Sequence, residues 1–162
     1  ALARSSTPIL VTDPVADHSI RVGDAAMAVD PLSGNGIFQS LSSALVAPAV
    51  INTMLQRPDE SELARSFYRS RLHHLFYRFA RTGRDFYRME CRWPESEFWQ
   101  ARARWPDQEP AHVQPDRVVG TARRPVLNRG FIEQAEVVVT EDQPLGIWRI
   151  GDRLATDVMR TG

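Results

Sequence analysis

From Asp30 to Gly36 the chain reads Asp-Pro-Leu-Ser-Gly-Asn-Gly, a stretch that no regular element can contain. Proline fixes φ and lacks an N–H, and the glycines enter left-handed backbone freely, so this segment must be a loop. The next stretch, Ile37 to Gln56, is mostly apolar and of helical length, which predicts a helix buried on most sides. Pro48 lies inside that helix and predicts a kink, because its ring removes a backbone bond and crowds the preceding turn. On the amino side of the loop, His18 to Val22 is a short strand candidate that ends on Gly23. The order strand, glycine turn, loop and buried helix constrains this part of the chain more than any bulk property does.

The remainder alternates in character. Pro8 to Thr12 reads as a strand that stops at Asp13-Pro14. From Glu60 to about Met89, Leu63, Phe67, Leu72, Leu75, Phe76 and Phe79 recur at helical spacing with arginines between them; Gly83 predicts a break into two pieces. Pro94 opens a shorter helix through Arg104, closed by Trp105-Pro106, and Asp107 to Pro115 is a polar linker. Beyond it the period changes to that of strands over Arg124–Leu127, Phe131–Thr140 and Leu145–Ile150. The fold class expected is α+β and helix-rich, in three parts: residues 1–58, a helical region 59–106 and a small β-rich tail 107–162.

Composition excludes several classes. The 20 cationic side chains are all arginine and balance 20 acids, so no overall field favours nucleic acid or an anionic membrane, and no lysine amine takes part in chemistry. Ten arginines between Asp59 and Arg104 stand beside seven acids, the pattern of a solvated helix face over an aromatic core. Cys91 is the single cysteine, which excludes an intrachain disulfide. No signal peptide or bilayer-spanning run is expected, since Gln39, Ser42, Ser43, Asn52 and Thr53 interrupt the longest apolar stretch; the expectation is a cytoplasmic protein. His73 and His74 sit about 100° apart on a helix and do not share a metal easily. No metal site is expected, and no residue makes a convincing acid or base.

The segment Arg21 to Gly36 carries a chemical logic of its own. Gly23 permits close backbone approach, and Asp24, expected to project from the end of a strand, suits sugar-like hydroxyls. Gly34-Asn35-Gly36 bares N–H groups at a helix start, where partial positive charge and unpaired donors suit an anionic ring edge or a phosphate. A plainer reading uses these glycines only for turns. A dinucleotide fingerprint fits poorly, because Gly34-Asn-Gly36-Ile-Phe-Gln39 lacks the third glycine and no strand runs into it.

Gly23-Asp24-Ala25-Ala26, then Asp30-Pro31 and Gly34-Asn35-Gly36, resembles the second FAD motif of flavoprotein monooxygenases, including the tryptophan-halogenase-like branch and the flavoproteins of quinone-cofactor maturation. The resemblance is close over about Ile20 to Leu55. It implies the carboxyl-side portion of an FAD/NAD(P)-binding, Rossmann-like flavoprotein, with FAD as cofactor. Gly23 and Asp24 would meet the ribityl chain, and Pro31, Gly34, Asn35 and Gly36 the isoalloxazine edge. It further implies a monooxygenase acting on an electron-rich, aromatic or protein-borne substrate, with a flavin reductase or NAD(P)H as electron source. Met27 stands where aromatic hydroxylases carry histidine, and neither the halogenase lysine nor a Trp-x-Trp-x-x-Pro motif occurs. Nor does a Gly-x-Gly-x-x-Gly for the FAD pyrophosphate, so the chain resembles half of a cofactor site. The alternative is a helical protein-interaction module that keeps the ancestral fold without catalysis.

Overall fold

The computed structural model describes residues 7–113, 117–142, 149–150 and 153–154. These form a helix-rich α+β arrangement with small sheets around two long helices. β1 (Ile9–Leu10) pairs antiparallel with β4 (Met27–Ala28), and β2 (Val15–Ala16) with β3 (Ser19–Ile20). Helices α1 (Gly36–Gln56), α2 (Ser61–Arg88) and α3 (Glu97–Arg104) follow. β5 (Val118–Asn128) and β6 (Phe131–Thr140) make an antiparallel hairpin, which β7 (Arg149–Ile150) and β8 (Arg153–Leu154) extend in chain order.

The core lies between the two long helices. α2 buries Ala64, Phe67, Tyr68, Leu72, Leu75, Phe76 and Phe79, at helical spacing, in one cluster with Val46, Ala49 and Val50 of α1. Val15, Met27 and Ile132 complete that cluster from the strands. Burying one such side chain is worth roughly 1.5–3 kcal/mol, against about 1 kcal/mol for an ordinary hydrogen bond. Packing therefore sets which helix faces meet, and polar contacts fix the register.

Several elements depart from expectation. α2 runs through Gly83 unbroken: a β-carbon there would meet only Asp30 Cβ, at 3.7 Å, and the roughly 1 kcal/mol a glycine costs a helix is outweighed by the buried Phe79 and Ala80 beside it. α1, by contrast, holds Pro48 inside one helix, where the sequence places it. α3 starts at Glu97, after a turn holding Pro94, because Ser96 is the first residue whose carbonyl enters the helical ladder. β5 begins at Val118, earlier than Arg124, and contains Pro125; it is an edge strand, where a missing N–H removes no ladder bond on the open side. Of the strand expected over Leu145–Ile150, residues 149–150 are strand and 145–148 lie outside the described residues. Arg71 and Arg84 are buried, not part of a solvated face.

α1 also corrects the expectation that it is buried on most sides. Gln39, Ser42, Ser43 and Thr53 are buried, whereas Ile37, Leu41, Leu45 and Leu55 are 63–80% exposed along one outer face. By length and composition alone, this 21-residue helix is apolar enough to cross a bilayer. It is apolar on both sides, with the serines turned inward.

The hairpin is fastened to α1 by a specific bond. Ile132 is fully buried, and its N–H donates to Thr53 Oγ1 at 2.8 Å, while that hydroxyl donates to the Ala49 carbonyl. Arg129 and Gly130 both have positive φ, which matches the twist of a two-residue hairpin turn, and Asn52 Nδ2 donates to the Gly130 carbonyl. Thr53→Val keeps the shape but leaves the Ile132 N–H unpaired in the core. It is expected to cost about 1–3 kcal/mol in chemical denaturation, whereas Asn52→Ala, at a longer and exposed contact, costs less.

Candidate functional site

The turn at Gly23 is built by its neighbours. Gly23–Ala25 is a 3₁₀ turn following extended Val22, so Asp24 projects from a turn and not from a strand end; β3 stops at Ile20. Gly23 has φ +57°, and a β-carbon on it would stand 3.3 Å from Ser40 Oγ in the second turn of α1. Both facts require glycine: the left-handed backbone disfavours a side chain and the space is already taken. The buried Gly23 N–H donates to Ser43 Oγ at 2.8 Å, and Ser43 Oγ donates to the Ser40 carbonyl. From the other side, Tyr68 Oη donates to the Arg21 carbonyl at 2.7 Å. Burial pushes the Tyr68 phenol up to about 12, so it stays a donor at any physiological pH. Arg71 Nη2 donates to Ser42 Oγ, and burial pulls its guanidinium down to about 10, which leaves it charged near neutrality.

The loop before α1 is held in a similar way. Asp30 is buried and its Oδ1 accepts the Leu32 N–H at 2.9 Å, capping a 3₁₀ turn over Pro31–Ser33. Its Oδ2 accepts the Tyr87 phenol at 3.0 Å, joining the loop to α2. Ser33 Oγ donates back to the Asp30 carbonyl, and Gly34 takes φ +69° to close the turn. Asn35 then precedes α1, whose start no side chain caps. The first-turn N–H groups of Gly36, Ile37 and Phe38 thus point outward as donors at the positive end of a 21-residue helix. A β-carbon at Gly34 or Gly36 would meet nothing within 4 Å.

The six residues singled out in the sequence therefore fall on two adjoining features. Gly23 and Asp24 form a turn packed on the first two turns of α1, with Asp24 exposed; Pro31, Gly34, Asn35 and Gly36 form the loop that opens the same helix. What sequence reading missed are the supports: Ser40, Ser43, Tyr68 and Tyr87 come from one to two helices away. Serines spaced along an otherwise apolar helix were the available signal. Gln39 was missed too. It is 1% exposed, and its Nε2 has no hydrogen-bond partner, an expensive condition for a buried amide. Among the described residues, no cluster of histidine, cysteine or carboxylates suits a metal.

No family model and no curated protein matches the chain. A solved structure does: QhpG, a peptidyl tryptophan dihydroxylase essential for tryptophylquinone cofactor biogenesis. The identity is 53% and the TM-score 0.82, over 98% of this chain and 38% of that one. The chain is thus similar, along nearly its whole length, to little more than a third of a protein of quinone-cofactor maturation.

Removing the Ser43 hydroxyl isolates the pinning of the turn. Ser43→Ala leaves the Gly23 N–H buried without an acceptor and is expected to destabilise by about 1–3 kcal/mol. Hydrogen exchange at Gly23 and Asp24 should accelerate with it, and unchanged exchange there would mean the turn holds without Ser43.

Proposed function

We propose that this chain is the carboxyl-side portion of an FAD-dependent monooxygenase with a Rossmann-like cofactor domain, acting on an aromatic, protein-borne substrate. The observation that carries the reading is the packing of the Gly23–Ala25 turn against the uncapped start of α1, in a chain 53% identical to part of a peptidyl tryptophan dihydroxylase.

The residues present fit a flavin. Asp24 offers an exposed, acceptor-only carboxylate for ribityl hydroxyls, and Gly23 brings the backbone close. Asn35 and Gly36 offer main-chain donors at a helix start, suited to the electron-rich edge of the ring, while Pro31 and Gly34 shape the loop beside it. The unsatisfied Nε2 of buried Gln39, one turn into that helix, is a donor lacking an acceptor. When bound, FAD supplies the electrons and the oxygen-activating chemistry, with a flavin reductase or NAD(P)H as their source. The protein's contribution here is to hold the ring edge and to stabilise negative charge there by the helix dipole.

Covering 38% of the similar chain leaves most of such a protein elsewhere. The outer apolar face of α1, from Ile37 through Leu41 and Leu45 to Leu55, is the surface that such a remainder would cover. The pyrophosphate-binding half of the cofactor site would belong to it, so this chain alone binds flavin weakly or not at all.

Titrating FAD against the whole protein to which this chain belongs, followed by its optical spectrum, tests the reading. Asp24→Ala is expected to weaken binding by about 1–3 kcal/mol, the scale of a lost charged hydrogen-bond acceptor. A protein that neither copurifies with flavin nor takes up added FAD overturns it.

A further inference from the structure

Behind the loop lies a cleft of about 440 Å³, within the range of roughly 300–1,000 Å³ usual for small-ligand sites. It is framed by α2 and α3, and Asp30 stands in its wall, one residue before Pro31. We propose that this cleft receives the aromatic side chain of a polypeptide substrate, an indole above all, with Asp30 accepting its ring N–H. The assignment rests on the monooxygenase reading and gives it a substrate site.

Three features point to a neutral ring carrying one donor. Ala80, Gly83 and Ala101 make smooth walls, and the rings of Tyr87 and Trp105 add flat apolar surface. Of the two arginines in the wall, Arg84 donates to Asp85 Oδ1 and to the Asp107 carbonyl, and Arg102 lies over the rings of Tyr87 and Phe98, at 5.7 and 3.9 Å. An anionic ligand would also meet the Asp30 carboxylate in the same wall. Asp30, in contrast, accepts one bond at each oxygen, from Leu32 N–H and Tyr87 Oη, and a carboxylate oxygen accepts two. Its spare capacity calls for a donor without an acceptor of its own, which describes an indole N–H.

An aromatic cluster joined to the wall through Tyr87 suits a polypeptide and not a free small molecule. Trp93, Phe98 and Trp105 are 42–50% exposed, and Trp93 stacks on Trp99 while Phe98 meets Tyr87 and Trp99 edge-on. Exposed rings of this kind give rigid contact area at low entropic cost, the composition of protein-recognition surfaces. A comparable cleft on another side of α2, about 450 Å³, has Arg78, Arg81, Glu109, Glu141 and Asp142 in its walls and none of the loop residues, so its lining is more charged and it lacks the position.

The test is a two-dimensional amide NMR titration of the full chain with N-acetyl-tryptophanamide, and with N-acetyl-leucinamide beside it. The tryptophan amide is expected to shift Gly83, Tyr87 and Ala101, the leucine amide to shift them far less. Ala101→Trp fills the cleft from an exposed helix position and is expected to weaken the response by at least about ten-fold, the scale of one lost anchor contact. Gly83→Leu blocks it from α2, where the first added carbon meets only Asp30 Cβ; the spectra themselves report whether either variant is folded. Shifts elsewhere, shifts that survive both blocks, or an equal response to leucine amide overturn the assignment. None of these outcomes depends on FAD, so they separate from a failure of the Asp24→Ala titration, which concerns the flavin loop.

Discussion

One buried hydrogen bond organises the turn and helix start that would face a flavin: the Gly23 amide on the Ser43 hydroxyl. It ties that turn to a helix lying beyond the whole Asp30–Gly36 loop, and Tyr68 clamps the same turn from α2 through the Arg21 carbonyl. With Gly23 fixed against Ser40, the exposed carboxylate of Asp24 and the bare donors at the start of α1 share one rigid frame. Remove the serine and the two become separate loops. The apolar cluster supplies most of the stability, but it does not specify this geometry; the side-chain hydroxyls do.

Asp30 has a comparable role further along the chain. Its carboxylate serves a backbone turn with one oxygen and a tyrosine from α2 with the other. Burial and that bond to Asp30 push the Tyr87 phenol above its ordinary value, so it remains protonated and keeps donating. The loop that would face the cofactor and the cleft assigned to substrate are thereby two sides of one residue. A rearrangement of either side is felt by the other through a bond of 3.0 Å, with no need for a longer relay.

How much of this could be read from the sequence depends on what sets each feature. The loop Asp30–Gly36 and helix α1 were legible because proline and glycine chemistry acts locally and the apolar run after them is long. The hairpin was legible in its second strand, whose pattern is regular, and less so in its first, where Pro125 and two arginines hide an edge strand that only its neighbour reveals. Gly83 misled for a physical reason: a glycine's intrinsic cost is small beside the burial of Phe79 and Ala80, and no local rule weighs the two. The supports of the site were not legible at all. Ser43 and Tyr68 reach Gly23 and Arg21 across 20 and 47 residues, and Tyr87 reaches Asp30 across 57, distances at which only the folded packing decides who meets whom.

Pro48 adds a last condition. It lies on the exposed side of α1, and so does Ala44, four residues before it. A proline has no N–H to return to that carbonyl, which leaves an acceptor in the middle of the stripe formed by Leu41, Leu45 and Leu55. The stripe is therefore not uniformly water-repelling. Any layer laid over it must bring a donor to that one point or trap a water molecule there, because sealing the carbonyl under hydrocarbon would forfeit a full desolvation penalty. A purely greasy cover is thereby disfavoured over one with a single well-placed polar group, and the oxygen acts as a registration mark for whatever packs on the helix.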